Sequence, residues 1–440
     1  MNGSDMPAAA DRPDSAGAAS RWQVLVLVTA FLAMFVDGYD FYVFSILAPA
    51  IAAALKESPQ GIGFVFVLQQ IGTATGAVVV GLLADRLGYR RTLATCMALI
   101  GVLTLATLKV TSLEQMAYMR GLSGLFIGGV VPAMIAMVSE TSPTAVRGRM
   151  MTIAFLGYVL GYSGASVVGG WLLGDFGWHI AFWIGGFAPF VLVPMILLLV
   201  PANYSHLLHQ ARSSPRAAQQ LQRFFSHIES APAPLEPASP GASRPTVLGD
   251  LLRGRLLVLT PLLWVVFFCS LGGLLLISIW LPTLFIELGG IPTERYSRIA
   301  IFNSLGGVVG TLLIGVLLDR FGARIVLPAF ALGTAGALAL LGATPFGSVL
   351  SIAALTGVGL MISGTQSGIG AFAALLYPHA IRSTGTGAAF TAGRIGGIVL
   401  PMVGGAILAA RLPLDQAMLI MGIPAVCAAA LLAVLCRERI

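Results

Sequence analysis

The sequence predicts an all-α membrane protein of twelve transmembrane helices in two pseudo-symmetric six-helix bundles, with both termini cytoplasmic. Composition, the length of the apolar runs and an internal repeat predict it. The 440 residues are 57% hydrophobic and only 10% charged, whereas soluble domains carry about 25% charged residues. Mean hydropathy is +0.91. The apolar runs last roughly 17 to 25 residues, the length that crosses a ~30 Å hydrocarbon layer as a helix. Barrel strands would be about ten residues long with polar residues at every second position. A soluble enzyme is excluded.

Gly, Pro and charge punctuate the runs. The first span starts near Val24 and ends before Lys56. The second starts near Ile62 and stops at Asp85 and Arg86; the third runs from near Thr92 to Lys109; the fourth starts near Leu113 and ends short of Arg147. The fifth and sixth start near Met150 and Trp178. After a polar stretch, the remaining six begin near Leu256, Arg298, Ile325, Gly347, Thr384 and Asp415. Residues 1–20, rich in Ala, Gly, Asp and Pro, read as a disordered cytoplasmic tail, because no basic segment precedes an apolar core as in a signal peptide. Residues 201–255 read as a cytoplasmic linker, with Pro232, Pro234, Pro237, Pro240 and Pro245 in its second part and a short amphipathic helix around Ala217 to Ile228. The linker separates an N-terminal bundle, 21–200, from a C-terminal bundle, 256–440.

Cytoplasmic termini put 18 of the 25 Lys and Arg on the inside and leave Lys56, Lys109, Arg295, Arg298 and Arg411 outside, with Arg120 and Arg394 within spans. Topology thus accounts for the net charge of +7, and no nucleic-acid partner is implied. Cys96, Cys269, Cys427 and Cys436 sit in apolar runs without C-x-x-C spacing, which supports neither a disulfide framework nor a metal site. His206 and His209 are three apart but lack an acidic or thiol partner. No cofactor is expected. A nucleophile elbow and a phosphate-binding loop are both missing, so neither an enzyme nor an ATP-driven pump is expected. The 23 arginines against two lysines, with abundant Ala and Gly, point to a high-GC bacterium and a multi-pass protein of its inner (cytoplasmic) membrane. The expected form is a monomer in the lipid bilayer.

The halves repeat each other. Gly81-Leu-Leu-Ala-Asp85-Arg86-Leu-Gly88-Tyr89-Arg90 recurs as Gly315-Val-Leu-Leu-Asp319-Arg320-Phe-Gly322-Ala323-Arg324, an offset of 234, and Pro143 to Arg147 recurs as Pro378 to Arg382 at 235. Two motifs holding nearly one offset indicate duplication. The G-x-L-a-D-r-x-G-r-r pattern after the second span resembles the loop signature of the major facilitator superfamily, and the resemblance covers all but the first 20 residues and the linker. Tyr89 and Ala323 stand where a third basic residue is usual. Physically, Asp85 and Asp319 at helix ends can accept bonds from the positive N-terminus of a neighbouring helix. The resemblance implies the major facilitator fold and a cytoplasmic gate, for which Asp85, Arg86, Gly88, Arg90, Asp319, Arg320, Arg324 and Arg382 are candidates.

An ionisable residue at mid-span costs about 2.5 to 3.5 kcal/mol on insertion scales, so each needs a reason. Four stand out: Asp37, Asp40, Arg120 and Arg394. Asp37 and Asp40, three apart, share a helix face with Phe44. Two carboxylates so close in low dielectric do not readily both ionise, which raises a proton affinity and marks candidates for proton coupling. The alternative is an acid that pairs with Arg120 to hold helices together. Arg120 lies at a depth close to that of Asp40. Arg394 lies near the midplane of the eleventh span with Phe390 on its face, and an arginine fork there matches a carboxylate.

Asp37-Gly38-Tyr39-Asp40, followed by Arg120-x-x-x-Gly124-x-x-x-Gly128-Gly129-x-x-Pro132, resembles the aromatic acid:proton symporter family. That resemblance implicates Asp37, Asp40 and Arg120 in transport, and Glu140 with Arg147 in the gate. Phe41-Tyr42-Val43-Phe44-Ser45 is bulkier than the small residues expected there, and leaves room for symporters of small carboxylates. Tyr39, Phe44, Tyr158, Tyr162, Gln366 and Phe390 are further candidates for the substrate site. The expected function is secondary active transport, coupling inward proton flow to uptake of an aromatic carboxylate (benzoate or hydroxybenzoate type) by alternating access. The expected partners are a small organic anion and a proton. The alternatives are a proton symporter of small aliphatic carboxylates and an exporter of organic metabolites.

Overall fold

The computed structural model describes residues 21–58, 61–142, 146–200, 252–377 and 382–436. The tail 1–20 and the linker residues 201–251, including the helix expected there, lie outside them. Twelve helices among the described residues are long and apolar enough to cross a membrane. In the first half they are α1 (Arg21–Leu55), α2 (Ile62–Leu87), α3 (Tyr89–Ala106), α4 (Leu113–Thr141), α5 (Arg147–Trp171) and α6 (His179–Leu199). In the second they are α7 (Leu256–Glu287), α8 (Thr293–Phe321), α9 (Ala323–Ala343), α10 (Val349–Leu376), α11 (Arg382–Val399, resuming as Pro401–Ala409) and α12 (Leu414–Leu435). Ser112 and Ser348 cap α4 and α10 by accepting from the backbone N–H of Gln115 and Ser351. α11 is interrupted at Leu400, because Pro401 brings no N–H to the helix ladder.

α8 starts five residues before Arg298, the start that charge punctuation predicts. Arg298 marks no boundary because, although exposed, it packs along the end of α5: its Nε donates to the Gly170 carbonyl at 2.8 Å and its guanidinium lies 5.6 Å from the Trp171 ring centre.

The duplication is visible in packing. α2 lies along α4, α1 along α5 and α3 along α6, and the same pairings recur as α8 on α10, α7 on α11 and α9 on α12. A Cβ at Gly72 would sit 2.1 Å from the Gly121 carbonyl oxygen, and one at Gly76 would sit 1.8 Å from that of Leu125. The counterparts are Gly306 against Thr356, at 2.1 Å, and Gly310 against Leu360, at 1.9 Å. The offset is 234 from α2 to α8 and 235 from α4 to α10, the same pair of offsets that the motifs show. Gly88 (φ 88°, ψ 145°) and Gly322 (φ 75°, ψ 157°) make the equivalent turns from α2 to α3 and from α8 to α9, in a region that is essentially glycine's alone and costs other residues about 1–3 kcal/mol. Gly76→Ala is expected to force α2 off α4 and destabilise the fold by at least about 1–3 kcal/mol, seen as a lower apparent Tm of purified protein. Gly336→Ala, whose Cβ would meet nothing within 4 Å, is expected to leave Tm unchanged or raised.

The buried residues define which end of the molecule is open. One apolar core joins both halves through Phe44, Ile46 and Phe66 with Trp280, Phe285 and Tyr296, all towards the end remote from the Gly88 and Gly322 turns. Towards the turn end the halves have separate cores, one around Met97, Met134 and Ile196, the other around Phe267, Leu327 and Ile369. A cavity lies between the halves on that side.

Candidate functional site

The cavity has a volume of about 660 Å³ and is lined from α5, α7, α8 and α10, a size suited to a small organic ligand. Tyr158 and Tyr162 of α5 stand on one side, with the Tyr162 hydroxyl 3.2 Å from that of Tyr158. Asn303 and Ser304 of α8 and Gln366 of α10 stand on the other. Gln366 accepts a hydrogen bond from Ser270 through Oε1 at 2.9 Å. None of the described lining residues is charged.

Deeper, beyond the cavity lining, lies a fully buried ion pair. Arg120 Nη1 donates to Asp40 Oδ2 at 2.8 Å, and Thr104 donates to Asp40 Oδ1 at 2.9 Å. Asp40 thus has a partner on each oxygen. The guanidinium carbon lies 5.0 Å from the ring centre of Phe182 and 5.4 Å from that of Phe44, a cation–π setting that excludes water. Arg120 Nε and Nη2 have no hydrogen-bond partner. Arg120 thus lies level with Asp40, as its depth along the fourth span predicts.

Asp37 is in a different condition. It is buried, and its Oδ1 has no hydrogen-bond partner. It lies within electrostatic reach of Asp40, Cys96, Tyr158 and Tyr162. Gly38 brings it there: a Cβ at that position would be 2.1 Å from the Tyr158 carbonyl oxygen, so glycine lets α1 press onto α5. Asp37 therefore sits close behind the tyrosine wall of the cavity, while Asp40 is committed to Arg120.

Of the substrate-site candidates, Tyr158, Tyr162 and Gln366 line the cavity. Tyr39 is buried, with its hydroxyl donating to the Ala181 carbonyl at 2.9 Å, and Phe44 packs on Phe66. Arg394 is half-buried, and its Nη1 reaches the Thr73 carbonyl of α2 at 3.4 Å, so it bridges the halves. Phe390 is 44% exposed and packs edge-on against Phe267. Neither Arg394 nor Phe390 lines the cavity. Asn303 and Ser304 are absent from the sequence candidates, which include the uncharged Gln366; the signal available was an uncharged polar pair in the middle of an apolar span.

The halves are fastened at the opposite end. The Ser45 hydroxyl lies 2.8 and 2.7 Å from the carbonyls of Ser278 and Ile279, Tyr42 lies beside Tyr296, and Phe66 meets Trp280. At the turn end, Tyr89, which replaces a basic residue of the signature, is buried and hydrogen-bonded to Glu140. Arg90 donates to the carbonyl of Leu197. Asp319, Arg320 and Arg324 are exposed, with Arg320 stacked over Phe321. The side chains of Asp85, Arg86, Arg147 and Arg382 lie outside the described set.

The family profile described as Major Facilitator Superfamily matches residues 30–301 and 295–439. The chain belongs to the Major Facilitator Superfamily. Solved structures of the superfamily share its fold. The inward-open xylose transporter XylE of Escherichia coli superposes with a TM-score of 0.73 at 15% identity, covering 93% of this chain and 95% of that one. Among relatives by sequence, the 4-hydroxybenzoate transporter PcaK of Acinetobacter baylyi is 30% identical over 93% of this chain and 90% of its own. The gallate transporter of Pseudomonas putida is 30% identical with the same coverage. The benzoate transport protein of A. baylyi is 28% identical over 92% of this chain and 87% of its own. Like other members of the superfamily, this chain is a multi-pass membrane transporter and not an enzyme.

Proposed function

We propose that this protein imports an aromatic carboxylate of the benzoate or hydroxybenzoate type by alternating access, coupled to inward proton movement, in a bacterial inner membrane. The names of its relatives support the substrate class. The observation that carries the coupling is the contrast between two acids one helical turn apart, Asp40 bonded to Arg120 and Asp37 with an unpartnered oxygen.

The chemistry follows from that contrast. An ionised Asp40 holds the Arg120 fork away from the cavity. Protonation of Asp40 weakens that hold and frees a guanidinium whose Nε and Nη2 already lack partners, a geometry suited to bidentate contact with a substrate carboxylate. In the arrangement seen here none of the described lining residues is a cation that could balance a carboxylate, and an anion among mostly apolar, uncharged groups is disfavoured. With the arginine-rich end facing the cytoplasm, this is the state that releases substrate inward. Asp37, beside the tyrosine wall, is the group from which a proton leaves into the same cavity.

Tyr158 and Tyr162 favour a ring over a small aliphatic acid. The test is uptake of labelled 4-hydroxybenzoate by proteoliposomes under an imposed inward proton gradient. The expected result is accumulation above equilibrium that a protonophore abolishes. Accumulation of aliphatic acids alone, or extrusion of substrate against the gradient, would replace this reading with one of its alternatives.

A further inference from the structure

We propose that Asn303 and Ser304 bind a ring hydroxyl of the substrate, so that the protein prefers hydroxylated aromatic acids to the unsubstituted acid. The inference rests on the aromatic-carboxylate reading above and assigns the other end of the ligand. Ser304 is 3% exposed, lines the cavity, and its Oγ has no hydrogen-bond partner. The adjacent Asn303 also lines the cavity, with its buried Oδ1 equally unpartnered. Buried polar atoms are nearly always bonded, so two adjacent cavity-lining residues whose polar atoms are orphaned just behind the wall mark a place where a side-chain turn meets a ligand.

The missing group is polar but uncharged, because neither residue can balance an ionic charge. Asn303 Oδ1 can only accept, whereas a serine hydroxyl can do both. A phenol matches that pair: it donates to Asn303 and accepts from Ser304. Glycine at 307, one turn along α8, leaves room for Ser363, whose Oγ lies 2.9 Å from where a Cβ would be. The aromatic side chains of α5 stand across the cavity, where they can take the face of a ring.

The repeat isolates the feature. At the offset of 234, Asn303 and Ser304 correspond to Gln69 and Gln70 of α2, which also carry unpartnered buried atoms. The α2 pair does not line the cavity and the α8 pair does. Only the second copy is placed to read a ligand in this state.

The test is titration calorimetry of the purified protein with benzoate and with 4-hydroxybenzoate. Wild type is expected to bind the hydroxylated acid at least about tenfold more tightly, since a site built for a hydroxyl penalises an analogue that lacks it. Ser304→Ala and Asn303→Ala are each expected to move that ratio towards one, and Ser304→Thr, which keeps the hydroxyl, to preserve it. An equal affinity for both acids in wild type, or a ratio unchanged in both alanine variants, overturns the assignment while leaving aromatic transport intact. Binding of neither acid by wild type overturns the aromatic-carboxylate reading itself, and this assignment with it.

Discussion

Asp40→Leu and Arg120→Met, made singly, are each expected to destabilise the protein by about 3–5 kcal/mol, because each leaves the other charge buried without its partner. Both side chains are fully buried, so bulk solvent does not reach the charge left behind. Combined, the two substitutions are expected to recover most of the thermal stability, since an apolar pair of similar volume often substitutes for a buried ion pair at little cost. Gradient-driven uptake should stay absent in the double variant. That separation distinguishes coupling from scaffolding: a stable double variant that still accumulates substrate would reduce the pair to a helix fastener. The readouts are apparent Tm of the purified proteins and uptake by proteoliposomes carrying equal amounts of them.

Asp37→Asn is expected to act on transport without harming the fold. Asp37 has an unpartnered oxygen in a buried position, so an isosteric amide removes a group whose ionised form is costly to bury. Stability should hold or rise. Accumulation under a proton gradient should fall to the equilibrium level, while exchange of labelled for unlabelled substrate, which moves no net proton, should continue. Equal loss of accumulation and exchange would make Asp37 part of substrate binding or of the helix contact with α5.

Much of this architecture is legible in the chain. Offsets of 234 and 235 between motifs reappear in the glycine contacts of α2 with α4 and of α8 with α10, because duplicated helices keep their close-approach positions in register. Depth along a helix places Arg120 near Asp40, since 1.5 Å per residue is fixed by helix geometry. The partner of Arg394 is not legible, because it is a backbone carbonyl at Thr73 and any residue supplies one. Ser45 meeting Ser278 is equally hidden: serines mid-helix ordinarily bond their own preceding turn, and nothing local says that this one reaches across the halves. Asn303 and Ser304 are missed for a third reason, that an uncharged polar residue costs too little in a span to stand out, and only the cavity beside it gives it meaning.

The most direct test of the central claim measures proton and substrate together. Proteoliposomes with a pH-sensitive dye trapped inside receive labelled 4-hydroxybenzoate at equal pH on both sides, with valinomycin and potassium holding the voltage at zero. Coupled entry predicts that the lumen acidifies as label enters, that the acidification depends on Asp37, and that Asp37→Asn in exchange mode moves label with no pH change. Label that enters wild-type vesicles while the lumenal pH stays constant would contradict the account.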